Sequence, residues 1–213
     1  MTTPLVQQVF LTGLSGVGKT RLAKSLALKL GLGLIDLDQW IVDRSGARDI
    51  KDLFEQQGEN SFRSLEHQAL KEVIGAHNHV IALGAGSLMD ENNQKIIFSS
   101  QALTIWLKIP PSALAHAITL QKDHLPAFLQ NRPLLSSLSS LLPTSSQPSI
   151  TPLREKLTAF LSSQLKAREQ GYSRCNVAID THHASFDICL VKLVYECQKA
   201  WQQHNYTTIA TQQ

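Results

Sequence analysis

The residues most able to do chemistry come early in the chain. Gly13-Leu14-Ser15-Gly16-Val17-Gly18-Lys19-Thr20 follows the pattern GxxxxGK[ST]. Three glycines and a serine let the backbone wrap closely with its N–H groups turned inward, a cradle suited to phosphate. A helix beginning at the end of the loop adds the positive end of its dipole. In such a loop Lys19 reaches the β- and γ-phosphates of a nucleotide and the Thr20 hydroxyl ligates Mg²⁺. Gly13, Ser15, Gly16, Val17, Gly18, Lys19, Thr20 and the adjoining Arg21 are therefore the candidate nucleotide-binding residues.

Further groups recur downstream. Asp36 and Asp38 stand two apart and face one side if the backbone there is extended. Arg63 and Glu66 are helical neighbours at three apart, which in isolation describes only a surface ion pair. Gly84-Ala85-Gly86 follows an apolar run, Arg132 precedes Pro133-Leu134-Leu135, and Arg168 ends a helical stretch. His182-His183 and Cys175 suggest a metal, but adjacent histidines after a strand are ordinary loop residues, and no metal is assigned to them.

These groups need elements to hold them. Val9–Thr12 reads as a short strand before the loop, and Arg21–Leu30 as a helix with Leu22, Leu26 and Leu30 at helical spacing. Gly33–Asp38 is a second strand, with its carboxylates facing the ligand crevice of an α/β sheet. Helices follow at Trp40–Arg44, Ile50–Gln56 and, after a break at Gly58, Ser61–Ile74. His79–Leu83 is a strand, apolar from Val80 onward, as in a parallel sheet buried on both faces. Leu103–Leu107 and Val177–Asp180 are the fourth and fifth strands. Helices are expected at Ser112–Leu120, opened by Pro110-Pro111, at Leu153–Glu169, and at Ala184–Gln202 with Ile188, Val191, Val194 and Tyr195 apolar. Ser136–Pro152 is rich in Ser, Leu, Thr and Pro, and no charge lies between Arg132 and Arg154, so a long mobile loop is expected. The tail Gln203–Gln213 reads as polar and frayed. Strands alternate with helices without a repeat, which predicts one α/β domain over 1–213: a five-stranded parallel sheet flanked by helices.

Composition narrows the class. The chain has 213 residues, 43% hydrophobic and 17% charged, a globular balance. A net charge of +3 and a pI near 8.8 suit anionic small substrates. Without a dense basic cluster they do not argue for nucleic acid. Cys175, Cys189 and Cys197 lack paired metal spacing and read as free thiols of a reducing compartment. Met1-Thr2-Thr3-Pro4 lacks a basic signal region, and no run reaches the ~18 apolar residues of a membrane span. A cytoplasmic protein without membrane contact is expected.

Taken together, Asp36-Leu37-Asp38, Gly58-Glu59-Asn60-Ser61-Phe62-Arg63-Ser64-Leu65-Glu66, Gly84-Ala85-Gly86, Arg132-Pro133-Leu134-Leu135 and Arg168-Glu169-Gln170-Gly171-Tyr172 resemble the shikimate kinase family, in its order and over nearly the whole chain. The resemblance implies a P-loop fold of the nucleoside-monophosphate-kinase type, with a substrate-binding segment at about 36–66 and a LID at about 121–152. It implies transfer of the ATP γ-phosphate to the 3-hydroxyl of shikimate in aromatic amino-acid biosynthesis. It assigns Lys19, Asp38 and Arg132 to catalysis, and Asp38, Arg63, Gly84, Ala85, Gly86 and Arg168 to the substrate. Glu66 orients Arg63, Thr20 and Asp36 hold Mg²⁺, and Arg132 arrives from the LID as ATP binds. The loop that carries His182-His183 borders the adenine.

The chemistry agrees with these assignments. A carboxylate calls for a guanidinium fork, and a hydroxyl to be phosphorylated calls for a nearby carboxylate. Two departures stand out: Ala85 replaces a family glycine, and the LID is long and uncharged. By the same resemblance the protein is a monomer with ATP and shikimate as its partners. A gluconate kinase of the same fold is the enzymatic alternative, and a non-catalytic nucleotide-binding module the alternative of another class. A GTP switch is disfavoured by the lack of an Asn-Lys-x-Asp motif.

Overall fold

The computed structural model describes residues 7–144 and 149–210. Five strands form one parallel sheet in the order β2-β3-β1-β4-β5: β1 Gln8–Thr12, β2 Gly33–Asp36, β3 His79–Ala82, β4 Leu103–Lys108 and β5 Val177–Asp180. β1 lies at the centre and is buried throughout, paired with β3 through Phe10–Ile81 and with β4 through Phe10–Thr104. Alternation of its side chains supplies both faces. Phe10 enters one core layer with Ile81 and Trp106, while Val9 and Leu11 enter the other with Val80 and Ile105. The second layer is closed by α1 (Lys19–Leu30) and α8 (Phe186–Ala210). The first is covered by α2 (Leu37–Ser45), α3 (Ile50–Val73), α4 (Glu91–Ser99), α5 (Pro111–Leu120), α6 (Leu125–Gln130) and α7 (Thr151–Tyr172).

Several elements differ from the sequence expectation. β2 stops at Asp36, and Leu37-Asp38 already belong to α2, so the two carboxylates do not share a strand face. The reason is local: Asp36 caps the helix, its side chain accepting from the Gln39 N–H at 3.3 Å, and Leu37 is drawn into the core. α3 runs on to Val73 but is kinked where expected, at Gly58 (φ 78°, ψ 170°). α4 was not anticipated; Asp90 caps it by accepting from Asn92 and Asn93.

The 121–152 segment is not a featureless loop among its described residues. It contains α6 and a 3₁₀ helix at Ser136–Leu141, and Leu135 is buried with Leu138, Leu141 and Leu142 packed against the main core. The leucines of this uncharged stretch are thus core anchors, which composition alone could not reveal. Residues 145–148 of the expected loop lie outside the described residues. α8 continues to Ala210, beyond the expected end, while 211–213 of the expected frayed tail also lie outside. Its buried stripe is Cys189, Leu193 and Cys197, whereas Ile188, Val191 and Tyr195 are exposed.

All three cysteines are free. Burial pushes the Cys175 thiol up to about 11 and Cys197 to about 12, so both stay protonated. No helix of the described residues is long and apolar enough to cross a membrane.

The end of α7 abuts the 3₁₀ turn Ser87–Met89 through Gly171. A Cβ there would sit 2.4 Å from the Leu88 carbonyl oxygen, a backbone atom that cannot swing aside. Gly171→Ala is therefore expected to lower stability by about 1–3 kcal/mol. Urea unfolding checks this as a lower midpoint with an unchanged slope.

Candidate active site

One cleft of about 830 Å³ opens at the carboxyl ends of β1, β2 and β3. This is where an α/β sheet binds ligands, because its loops and helix N-termini converge there. Ser15, Gly16, Gly18, Lys19, Thr20 and Arg21 line it on one side, and Asp36, Asp38, Arg63, Glu66, the 84–86 loop and Arg168 on the other. Arg132 lies between them. Of the residues singled out from sequence, Gly13 and Val17 do not line the cleft. Gly13 packs against the Leu107 carbonyl of β4, and the Val17 side chain joins the second core layer.

The loop between β1 and α1 holds Gly13, Gly16 and Gly18 at φ of 143°, 89° and 95°. An L side chain at any of them would strain the turn that aims the backbone at the cleft. Lys19 Nζ donates to the Gly13 and Leu14 carbonyls at 2.9 and 3.1 Å. Burial lowers its pKa to about 8, opposed by Asp38 and reinforced by Arg168. The Thr20 hydroxyl donates to Asp36 Oδ2 at 2.5 Å, joining the start of α1 to the end of β2.

Asp38 sits in the first turn of α2. Burial raises its pKa to about 6, Lys19 pulling the other way and Asp36 and Glu66 adding to the rise. A carboxylate poised near neutrality in a cleft is suited to exchange a proton with a hydroxyl.

Arg63 and Glu66 form the expected pair, Nη1 donating to Glu66 Oε2 at 2.9 Å. Glu66 is buried and accepts a second bond, from Ser87 Oγ at 2.6 Å. The 84–86 loop needs its glycines for space rather than for a left-handed backbone. A Cβ on Gly84 would approach Glu66 Oε1 and Asp38 Oδ1 at 2.7 and 2.9 Å, and one on Gly86 would meet the Arg63 guanidinium at 2.8 Å. Ala85 does not have positive φ, so the extra methyl is carried without strain. Its carbonyl accepts from the buried Tyr172 hydroxyl at 2.7 Å.

Arg168 is only 6% exposed, and its Nε has no hydrogen-bond partner among the described residues. A buried guanidinium with an idle donor at a cleft wall is unfavourable until an anion arrives. Gln164 lines the cleft one turn earlier, and Phe160 two turns earlier. Gln164 was not among the candidate residues read from the sequence. The i, i+4, i+8 spacing ending on Arg168 was the signal that could have found it.

Arg132 touches the phosphate loop directly, its Nε donating to Ser15 Oγ at 2.8 Å and Nη1 to the Phe128 carbonyl at 2.9 Å. Its guanidinium also stacks 3.8 Å from the Phe128 ring centroid. The expectation brought this arginine in with ATP, whereas here the packing of α6 already seats it on Ser15. His182 and His183 stack on each other, and no group of three or more His, Cys, Asp or Glu among the described residues could hold a metal.

Comparison with known proteins adds to this geometry. A family model described as shikimate kinase matches residues 15–196. The shikimate kinase of Chlorobium limicola is 32% identical over 173 residues, spanning 81% of this chain and 77% of that protein. The crystal structure of shikimate kinase from Bacteroides thetaiotaomicron superposes with a TM-score of 0.71 at 26% identity, covering 90% of this chain and 98% of that one. The Acinetobacter baumannii shikimate kinase in complex with shikimate shares the fold, with a TM-score of 0.68, 24% identity and coverage of 95% and 94%.

Proposed function

The chain belongs to the shikimate kinase family, and on that premise we propose that it transfers the γ-phosphate of ATP to the 3-hydroxyl of shikimate. The observation that supports this most is the single cleft shared by Lys19, Asp38, Arg63 and Arg168. One side offers cations and backbone donors for a triphosphate. The other offers two guanidinium groups for a carboxylate, with Asp38 between.

Lys19 and the loop N–H groups neutralise the phosphates, and Arg132 donates to the oxygens on which charge grows as the phosphoryl group moves. Asp38 orients the attacking hydroxyl and accepts its proton. Arg63 and Arg168 hold the substrate carboxylate, Glu66 fixes Arg63, and the close-packed 84–86 loop shapes the wall. Thr20 Oγ1 and Asp36 Oδ2 are adjacent hard oxygens at the start of α1, which fits Mg²⁺, a cation that keeps several waters and takes few protein ligands. When bound, Mg²⁺ screens the charge of the β- and γ-phosphates. The substrate-binding segment is about 36–66 and the LID about 121–152. A protein acting as a monomer in the cytoplasm completes this reading, supported by a site whose named groups all come from one chain.

The deciding experiment is ADP release by purified protein with ATP, Mg²⁺ and shikimate, with gluconate run in parallel. Turnover with shikimate alone is expected; ATP binding without turnover on either acid would leave only a phosphate-binding scaffold. The pH dependence follows from the two shifted groups. Asp38 loses its role as proton acceptor when protonated, and Lys19 loses its charge when deprotonated. The profile of kcat/KM is therefore expected to be bell-shaped, falling below about pH 6 and above about pH 8. A flat profile from pH 5 to 7 would remove Asp38 from the chemistry.

A further inference from the structure

Arg63 is engaged by two carboxylates of unequal standing. Nη1 donates to Glu66, which is buried at 1% exposure and anchored by the Ser87 hydroxyl. Nη2 donates to Glu59 Oε1 at 3.1 Å, and the Glu59 side chain is 53% exposed. Among the described residues, the Glu59 side chain has no hydrogen bond other than the one from Arg63. Glu59 also follows Gly58 directly, the kink inside α3, and more than half of its side chain faces solvent. One partner of the guanidinium is thus fixed in the core, and the other stands at a break in the helix with room to move.

The chemistry of the fork gives this asymmetry a consequence. A guanidinium offers a carboxylate two bidentate edges, Nε with Nη2 or Nη1 with Nη2, and both use Nη2. A guest carboxylate on either edge therefore shares Nη2 with Glu59, which stands on the solvent side of the guanidinium and outside the cleft lining, and like charge is set beside like charge. Glu66 cannot yield, because leaving it buried without its partner is costly. Glu59 can, because water replaces the bond it loses.

We propose that Glu59 is an internal carboxylate that competes with the substrate carboxylate for Nη2 of Arg63 and is displaced when the acid binds. It sets how strongly an acid must bind to enter and discourages weak monoanions from resting on Arg63. The inference rests on the reading of Arg63 as a carboxylate grip.

The test is calorimetric titration of wild-type protein and Glu59→Gln with shikimate and, separately, with its methyl ester, which lacks the negative charge. Glu59→Gln is expected to bind shikimate about two- to fivefold more tightly, the size of a half-exposed ion pair's coupling, with no gain for the ester. In turnover the KM for shikimate should fall while the KM for ATP stays put. Unchanged or weaker shikimate binding by Glu59→Gln would overturn the gate and make Glu59 a simple support for Arg63. An equal gain for acid and ester would also overturn it, since charge would then not be the cause. Wild-type protein that ignores shikimate altogether would instead sink the proposed function on which the gate depends.

Discussion

Replacing Asp38 by Asn should lower kcat by about 10²–10⁴-fold, while leaving the protein at least as stable as the wild type near neutral pH. The amide keeps the size of the side chain and can still donate to a hydroxyl, but it cannot take up a proton. The stability half of this expectation follows from the raised pKa. Burial disfavours the charged form of Asp38, so the folded state holds this proton more tightly than the unfolded chain does. The contribution of Asp38 to stability should therefore fall as pH rises from about 4 to about 6, where the folded carboxyl ionises. The Asn variant lacks that loss, so its stability should vary less with pH over this window. Steady-state turnover and urea unfolding at pH 4.5 and 7 test both halves. A variant that turns over at near wild-type rates would show that Asp38 neither accepts the proton nor orients the hydroxyl.

Arg132→Ala should cost about 10³-fold or more in kcat, with ATP binding weakened far less. The contrast arises because an arginine over a transferring phosphoryl group stabilises charge that is greatest in the transition state. In the structure this guanidinium is held by Ser15 Oγ, by the Phe128 carbonyl and by the Phe128 ring. It is therefore already close to the site it serves. Arg132→Lys should recover little, since an ammonium lacks both the fork and the flat face that stacks on Phe128. Because Arg132 is only partly buried and makes no ion pair among the described residues, its loss should scarcely move the unfolding midpoint. Equal losses in kcat and in ATP affinity would instead make it a ground-state binding residue.

Much of this architecture could be read from the chain. The GxxxxGK[ST] run between an apolar strand and a helix, and the alternation of strands and helices, led to a five-stranded parallel sheet carrying a phosphate-loop motif; that β1 lies at its centre came from the fold. The runs at β1, β3 and β4 are apolar because a parallel strand is covered on both faces, and that is a local property of sequence. The pairing of Arg63 with Glu66 follows from helical spacing alone, and so does the break at Gly58.

What could not be read depended on distant contacts. Asp36 and Asp38 reach the cleft from a cap and a first helical turn, because the core takes Leu37 and the Gln39 N–H needs an acceptor. The leucines around 135–142 looked like loop until the body of the protein gave them a surface to cover. Gln164 enters the cleft only because α7 lies where it does. Gly84 and Gly86 are small because Asp38, Glu66 and Arg63 press on them from other elements, a demand that no stretch of 84–86 contains. The sequence by itself determined the strands, the phosphate loop and the chemical types at hand, since periodicity and spacing act over a few residues. Only the tertiary structure decided which carboxylate on Arg63 is buried and anchored and which is exposed. That depends on the burial of Glu66 beside Ser87 on one side and on open solvent at Glu59 on the other, and burial is a property of the packed whole.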